Sequence, residues 1–386
     1  MPSAPTVFSQ ITAPLFQTEF ARCAERFPMP RCSRSFSAFD HFLALCFGQL
    51  TGRESLRDVI TCLSARQNLQ FHLGFRGRLT RTNFAYANEH RDWRVFAAVA
   101  AVLMRKAARL YAPGQGEGRL PEIVFALDAS IIDLSLKLFP WAFYARARGS
   151  AVKLHALLSL RGNFPAWAAV TEANFPDLKM LDQIPLAAGA FYVLDRAYLD
   201  FTRLLRLEQA GACFVVRNKC HVRFRVLRSR PVAKATGLRC DQTIALTTKW
   251  SRSVYRQPLR RVHFRDTGRR RSLIFLTNNF QLEPEVICEL YQRRWQVELF
   301  FKWIKQHLRL RNFYGRSENA IRCQVWAAIC SYLLVALAKK EHRLEQSLYQ
   351  MLQIVSVSAL EQVTLTNLFA PTITPDLNSQ QTFNLS

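Results

Sequence analysis

The segment EIVFALD (122–128) decides the fold that we expect, because it is a short apolar run that ends in an acid. Four similar runs follow it, namely VKLHALLSL (152–160), AWAAVT (166–171), FYVLD (191–195) and CFVVRN (213–218). Runs of this length and composition are typical of buried strands. Helical patterns separate some of them, at DLKMLDQI (177–184) and LDFTRLLRLEQAG (199–211). Three strands followed by strand, helix and strand predict a mixed sheet in an α/β architecture.

The chain before this region has a different character. Residues 1–111 contain few glycines and several apolar clusters, which predicts a helical N-terminal domain. Residues 112–121 (APGQGEGRLP) hold three glycines and two prolines. This composition predicts a linker, and a surface loop within a single domain is the alternative.

The chain after about residue 283 is again predicted to be helical. One long helix is expected through roughly residue 310 and a second over 317–342, while the tail (343–386) begins helical and ends polar. The longest apolar run, VWAAICSYLLVALA (325–338), has 14 residues, which is too short for a bilayer span. It therefore predicts a core helix and no membrane partner.

The location is inferred from the N-terminus and from the cysteines. No basic-then-apolar leader opens the chain, so we expect a cytoplasmic protein. The ten cysteines never form a CxxC pair. Reduced thiols are therefore favoured over a zinc site or a disulfide framework.

The charge balance points to a polyanionic partner. The chain carries 53 Arg and Lys against 28 acids, a net charge of +25. Residues 219–271 alone hold 16 Arg or Lys and two acids, a net of +14. A solvated surface normally mixes both signs, so nucleic acid is favoured over the alternative of a merely solvated basic face.

Arginines alternate with apolar residues inside this basic segment. HVRFRV (221–226) places Val222, Phe224 and Val226 on one face, and RVHFR (261–265) places Val262 and Phe264 on one face. Such alternation predicts strands with an apolar inner side. The outer side would present cations to phosphates, namely Arg223, Arg225, Arg261 and Arg265.

Three acids are candidates for a metal centre. Asp128 and Asp195 each end an apolar run, at the crevice position where open α/β sheets place ligands. Glu298 lies in the otherwise basic segment YQRRWQVELFFKWIKQHLRLR (291–311). The simpler alternatives are turn or helix-cap roles for the two aspartates and a surface Arg294–Glu298 salt bridge.

Helical geometry gives Glu298 three companions. On a helix of 3.6 residues per turn it shares a face with Tyr291, Arg294 and Lys305. Four other side chains of the segment are expected to bury the helix against the domain, namely Trp295, Leu299, Trp303 and Ile304. A hard divalent cation at a phosphate site needs carboxylate ligands of the kind that Glu298 and the two aspartates offer.

These residues together resemble the DDE transposases of the bacterial insertion-sequence-4 family. The family signature Y-x2-R-x3-E-x6-K is matched by Tyr291, Arg294, Glu298 and Lys305. The stretch LDAS carries Asp128 in place of the first acid, and DRAY carries Asp195 in place of the second. The resemblance covers residues 121–342, and GQLTGRESLRDV (48–59) with TNFAYANEHRDWR (82–94) resembles the amino-terminal domain of one branch of the family.

The resemblance implies a fold and a division of the chain. It implies an RNase H-like catalytic core over 122–218 and 281–342, with a β-rich basic insertion at 219–280. Two positions depart from the family pattern: Ala197 stands where glycine is frequent, and Pro176 stands where a histidine often precedes the aspartate. Ala197 would be strained if its position required a positive φ.

The resemblance also implies a bacterial, nucleoid-associated location and an activity. Asp128, Asp195 and Glu298 would bind two Mg²⁺ ions, with Mn²⁺ as a substitute, for cleavage and strand transfer of DNA. The partners would be the element's double-stranded inverted-repeat ends, the target DNA and a second copy of the chain. Arg294 and Lys305 would contact phosphates, and Tyr291 would contact the DNA end.

Two DNA-reading elements are further hypotheses. Trp250 is a candidate wedge for a flipped base, with a core tryptophan as the favoured alternative. The stretches 55–74 and 81–93 would form a helix-turn-helix-like reader that places Arg76, Arg78 and Arg81 on DNA. Two other functions stay open for the whole chain: an inactive copy that occupies the ends as a repressor, and a cellular nuclease of the same fold.

Overall fold

The computed structural model describes residues 5–28, 36–112, 120–144, 149–266, 271–307 and 312–370. Most of the predicted linker and the polar end of the tail (371–386) lie outside these residues. The domain boundaries drawn from the sequence therefore stay predictions.

The N-terminal region is helical, as predicted. Its helices are α1 (Val7–Thr12), α2 (Gln17–Ala24), α3 (Ala38–Leu50), α4 (Leu56–Ser64), α5 (Arg81–His90) and α6 (Arg94–Leu110). Side-chain caps set several of their starts. The Ser37 hydroxyl accepts a hydrogen bond from the Asp40 N–H while the Asp40 carboxylate accepts one from the Ser37 N–H, which satisfies free backbone donors at the start of α3.

A ten-stranded sheet fills the middle of the described chain. Its strands are β1 (Val124–Leu134), β2 (Phe143–Tyr144), β3 (Gly149–Ser159), β4 (Phe164–Glu172), β5 (Phe191–Leu194), β6 (Cys213–Arg217), β7 (Phe224–Arg230), β8 (Leu238–Leu246), β9 (Leu259–Asp266) and β10 (Arg271–Thr277). The strand order is β2-β3-β1-β5-β6-β10-β9-β8-β7, with β4 also paired to β3. The pairs β1–β5 and β5–β6 are parallel, and every other pair is antiparallel.

The remaining helices follow or interrupt the strands. They are α7 (Phe201–Gln209), α8 (Lys249–Val254), α9 (Pro284–Arg293), α10 (Trp295–His307), α11 (Glu318–Glu341), α12 (Leu348–Ser358) and α13 (Leu365–Leu368). The stretch 177–184, predicted to be helical, forms a 3₁₀ turn over Asp177–Asp182. The mixed α/β fold, with a large mixed sheet and a helical N-terminal region, is confirmed.

The insertion is a continuation of the core sheet. Strand β10 pairs with β6, and β9, β8 and β7 follow outward in turn. Apolar clusters cover both faces of the sheet. The larger cluster includes α11, which packs against α3, α5 and α6. The N-terminal helices and the sheet thus share one hydrophobic core.

Helix α11 corrects one argument from the sequence. With 24 residues it is long and apolar enough to cross a membrane, so the length argument against a span was wrong. However, 94% of its most apolar window is buried inside the fold. The predicted core helix is confirmed by this burial. The nine cysteines that the structure describes are free, and five of them are buried.

Candidate catalytic centre

Asp128 and Asp195 lie side by side where a parallel strand pair ends. Strand β1 pairs with β5 from Val124–Phe191 to Leu127–Leu194, so each aspartate is the next residue along its chain. The expectation that the first strand stops at Asp128 was wrong. Strand β1 continues to Leu134 because β3 still pairs with it beyond this point. The crevice therefore opens at the end of β5, beside a strand that continues.

Glu298 reaches the same crevice from a helix that begins one turn earlier. The predicted single long helix is wrong, because α9 ends at Arg293 and α10 begins at Trp295. Trp303 and Ile304 are buried as expected, but Trp295 and Leu299 are 55% and 41% exposed, contrary to expectation. The reason is that Val297, Phe300 and Phe301, and not Trp295 and Leu299, share the buried face of α10 with Ile304.

Arg294 lies at the helix break and joins two of the acids. Its Nη1 donates to Asp128 Oδ2 at 2.8 Å, and its Nη2 donates to Glu298 Oε1 at 2.5 Å. The Arg294–Glu298 salt bridge that was the simpler alternative is thus formed, but it is not a pair on a solvated surface. The guanidinium is 14% exposed and has a second carboxylate on its other nitrogen.

Tyr291 supports the remaining acid, Asp195. Its hydroxyl donates to Asp195 Oδ1 at 3.0 Å, and its ring packs on Phe275 with centroids 4.6 Å apart. The side chain is 8% exposed, so its described contacts are inside the protein. The DNA contact expected of Tyr291 stays a prediction.

The electrostatics of the centre reflect burial and like charge. Burial raises the pKa of Asp128, as do the nearby Glu298 and Asp195 carboxylates. Arg294 and the Ala129 N–H, which donates to Asp128 Oδ1 at 2.8 Å, oppose this increase in pKa. Burial also raises the pKa of Tyr291 to about 12, so its hydroxyl keeps its proton and remains a donor at neutral pH.

A cleft of about 640 Å³ opens beside Asp128 and Glu298. Its wall includes Lys302 and Lys305. Burial lowers the pKa of Lys305 and Asp133 opposes this effect. The structure therefore places Lys305 beside the acids, as the signature predicts.

The donor set suits a hard divalent cation by its chemistry. Asp128 and Glu298 line the cleft and Asp195 follows the strand beside Asp128, and carboxylate oxygens are the ligands that Mg²⁺ prefers. In the described part of the chain, no three acidic, His or Cys side chains lie close enough together to hold one ion. The Arg294 guanidinium forms ion pairs with Asp128 and Glu298.

The backbone around Asp195 accepts both departures from the family pattern. Ala197 lies in the 3₁₀ turn Arg196–Tyr198. Among the described residues, the only non-glycine positions with positive φ are Asn163 and Arg343. Ala197 is therefore unstrained. Pro176, with φ −68° and ψ 126°, precedes the 3₁₀ turn that begins at Asp177.

The basic strands agree only in part with the predicted alternation. Val262 is buried and Phe264 is half-buried, but Val226 is exposed. Strand β7 is the edge of the sheet and a bulge shifts its register between Val226 and Arg228, so its outer half lacks a covering layer. Of the predicted phosphate contacts, Arg223, Arg225 and Arg265 are exposed.

Two other residues of the insertion have surroundings that the sequence did not indicate. Arg261 is half-buried and donates to Gln242 Oε1 at 2.9 Å, with its guanidinium 5.2 Å from the Phe224 ring. Trp250 is 57% exposed on α8, so the alternative of a core tryptophan is wrong. Contact of Arg261 or Trp250 with DNA stays a prediction.

Sequence reasoning missed a second, strongly basic cleft. It has a volume of about 790 Å³, and no acid is among its described lining residues. Its cations come from β7 and from the α8 region, namely Arg225, Lys249, Arg252 and Arg256. Their spacing along the sequence does not reveal this grouping, because Arg225 reaches the cleft only through the pairing of β7 with β8.

The N-terminal arginines are placed on the surface. Arg76, Arg78 and Arg81 are exposed, with Arg76 stacked over Phe71 at 3.9 Å. The predicted pair of helical segments corresponds to α4 and α5. Their role in reading DNA stays a prediction.

Comparison with known proteins identifies the class. Residues 119–334, which include the sheet and the three acids, match the family described as "Transposase DDE domain". The chain belongs to this family. Residues 3–76 match a domain of unknown function.

Two bacterial relatives are named as transposases, and one solved structure aligns with the chain. A putative transposase, y4zB, of Sinorhizobium fredii is 31% identical over 70% of this chain and 75% of its own length. A probable transposase for insertion sequence element IS5377 of Geobacillus stearothermophilus is 33% identical over 56% of this chain and 57% of its own length. The piggyBac transposase in a synaptic complex with hairpin DNA aligns with a TM-score of 0.42 at 10% identity, over 97% of this chain and 86% of that one.

Proposed function

We propose that this protein is the transposase of a bacterial insertion sequence of the insertion-sequence-4 type. It binds the inverted-repeat ends of its element as a homodimer, cuts them and joins them to target DNA. The observation that carries the proposal is that Arg294 joins Asp128 to Glu298 and Tyr291 holds Asp195, beside the point where the parallel pairing of β1 and β5 ends. The insertion-sequence relatives support the choice of substrate.

The catalytic residues have distinct parts in this proposal. Asp128, Asp195 and Glu298 would hold two divalent cations, Mg²⁺ or Mn²⁺, and this site would supply activation of the attacking hydroxyl and stabilisation of the leaving oxygen. Tyr291 holds the Asp195 carboxylate through its hydroxyl. Lys305 lines the cleft beside Glu298 and binds a phosphate next to the scissile bond.

The basic insertion binds the DNA backbone in this proposal. The exposed Arg223, Arg225 and Arg265 and the second cleft provide cations with few acids nearby. Exposed Trp250 is available to stack on an unpaired base. The N-terminal helices read the sequence of the ends.

The test uses DNA that carries the sequences flanking the coding region. The purified protein is incubated with this DNA in Mg²⁺ or in EDTA, and bound, linear and joined products are separated on gels. Metal-dependent excision with joined products supports the proposal. Binding of the ends without any cleavage identifies a repressor, and linear fragments without joining identify a nuclease.

A further inference from the structure

We infer that Arg294 is the internal counter-cation of the centre: it holds Asp128 and Glu298 together until a divalent cation replaces it. The inference rests on the proposed function, because it assumes that these acids bind metal. It adds a step that the family signature does not specify. Metal binding would have to displace a guanidinium from between two of its ligands.

The geometry shows how the two acids are joined. The two terminal nitrogens of Arg294 each contact a different carboxylate, Asp128 at 2.8 Å and Glu298 at 2.5 Å. The acids come from different elements, β1 and α10. The bridge therefore connects the helix to the strand across the crevice.

The arginine itself is incompletely satisfied, which fits a group that moves. Its Nε is buried and has no hydrogen-bond partner among the residues that the structure describes. Arg260 provides the contrast of a structural arginine. It is 1% exposed, and Nε, Nη1 and Nη2 all donate, to Asp241 and to the carbonyls of Asn279 and Leu282. Leaving such a site would leave several partners without a donor, whereas the described contacts of Arg294 are two carboxylates, which metal can neutralise, and the Tyr291 ring, whose centroid lies 5.7 Å from its guanidinium.

The charges explain why a cation is needed there. Asp128 is partly buried and feels the negative charge of both Glu298 and Asp195. Without Arg294, the bare carboxylates would repel one another across a poorly solvated crevice. A metal ion would relieve the same repulsion, so the guanidinium and the metal compete for one position.

Displacement gives the freed guanidinium a second use. The signature predicts that Arg294 binds a phosphate, but in this structure both terminal nitrogens are occupied by acids. Arg294 becomes available to DNA only after the metal has bound. Metal binding at the centre and phosphate binding by Arg294 are thereby coupled through one side chain.

The experiment compares Arg294→Ala and Arg294→Lys with Arg293→Ala in the full chain. Arg293 is the matched control, because it forms an i,i+4 salt bridge with Glu289 at 2.9 Å on the surface, with both side chains nearly half exposed. Arg294→Lys keeps one charge but cannot bridge two carboxylates as a planar fork does. Thermal unfolding is measured in EDTA, and Mn²⁺ binding is measured by calorimetry without DNA.

We expect opposite effects in the two measurements. In EDTA, Arg294→Ala lowers Tm by about 2–4 °C more than Arg293→Ala, and adding Glu298→Gln recovers part of this loss. If the bridged state is populated about 90% of the time, Arg294→Ala binds Mn²⁺ about tenfold more tightly than the unmodified protein. The Tm and the Mn²⁺ affinity of Arg294→Lys lie between those of the unmodified protein and Arg294→Ala. If Arg294→Ala folds only in the presence of Mn²⁺, its loss of stability in EDTA has the predicted direction and is larger.

Two results would overturn the inference and one would overturn the proposed function. If Arg294→Ala and Arg293→Ala have equal Tm in EDTA, Arg294 does not hold the acids together. If Mn²⁺ binds all variants equally, or binds Arg294→Ala more weakly, the guanidinium does not compete with metal. If neither the unmodified protein nor Arg294→Ala binds Mn²⁺, the proposed metal centre is wrong and the displacement step is wrong with it.

Discussion

The hydroxyl of Tyr291 donates a 3.0 Å hydrogen bond to the carboxylate of Asp195, from a ring that is almost fully buried. A buried ring is a rigid support, so this bond fixes the direction of the carboxylate. Positioning contacts of this kind affect a metal centre although they do not touch the metal.

Tyr291→Phe keeps the ring and removes only this bond. We expect metal-dependent DNA cleavage to fall by about tenfold or more, while the free energy of unfolding changes by about 1 kcal/mol or less. Initial cleavage rates and urea unfolding measure the two effects. Tyr86→Phe, at an exposed tyrosine of α5, is the control. Unchanged cleavage by Tyr291→Phe would show that Asp195 is held by other contacts.

The basic insertion predicts a steep dependence of DNA binding on salt. If about six of its cations each neutralise a phosphate, affinity falls with about the fifth power of salt concentration. Replacing Arg252 or Arg256 of the second cleft by Gln lowers that exponent by about one each. Fluorescence anisotropy over a salt series measures the slope. An exponent that these changes leave untouched would remove the second cleft from the DNA-binding surface.

The Arg260–Asp241 pair is predicted to stabilise the insertion. Arg260 donates to both carboxylate oxygens of Asp241 at 2.8 Å, and both side chains are buried. Arg260→Leu leaves Asp241 buried without its main partner, which costs about 3–5 kcal/mol. The double replacement with Asp241→Leu recovers most of this loss. Chemical denaturation measures both, with exposed Arg239→Ala as the control. A small effect of Arg260→Leu would contradict the pairing.

His155 predicts that the protein loses stability in mild acid. Burial lowers the pKa of His155 from 6.5 to about 4, and its Nε2 lies 2.9 Å from Thr171 Oγ1. Between these pH values the unfolded chain binds a proton that the folded chain does not. Stability is therefore full above pH 6.5 and falls as the pH drops toward 4, by about 3 kcal/mol from this residue.

His155→Gln tests this pH dependence because it removes the titrating group and keeps a polar side chain. Urea unfolding at a series of pH values should give a flatter curve for the variant between pH 6.5 and 4. Part of the slope will remain, because burial also lowers the pKa of His41, to about 3. An identical slope in the variant and the unmodified protein would mean that His155 is not buried as a neutral ring.

The sequence predicts the fold well where burial alone decides structure. The apolar runs ending at Asp128 and Asp195 locate β1 and β5, because strands covered on both faces need continuous apolar residues. It does not predict that β1 continues to Leu134, since Ser130 and Asp133 belong to that strand only through pairing with β3. The sequence also does not predict which strand lies at the edge of the sheet. Val226 is exposed because β7 has no outer neighbour in the described sheet.

The candidate site is predictable in its membership but not in its contacts. Helical spacing groups Glu298 with Arg294 and Tyr291, and the structure places all three at the crevice. Their partners on β1 and β5 are more than 90 positions away along the chain, so no local pattern pairs Arg294 with Asp128 or Tyr291 with Asp195. The strain expected at Ala197 is absent because the required φ is ordinary, a property that residue identity alone does not reveal.

The most direct measurement compares the protein with Glu298→Gln on supercoiled DNA that carries the flanking ends, in Mg²⁺ and in EDTA. Glu289→Gln is the matched control, because Glu289 forms an i,i+4 pair with an arginine on the surface of α9, away from the described contacts of the acids. We predict Mg²⁺-dependent excision by the protein and by Glu289→Gln, and none by Glu298→Gln, which still binds the ends. Excision that survives in Glu298→Gln would contradict the assignment of the centre.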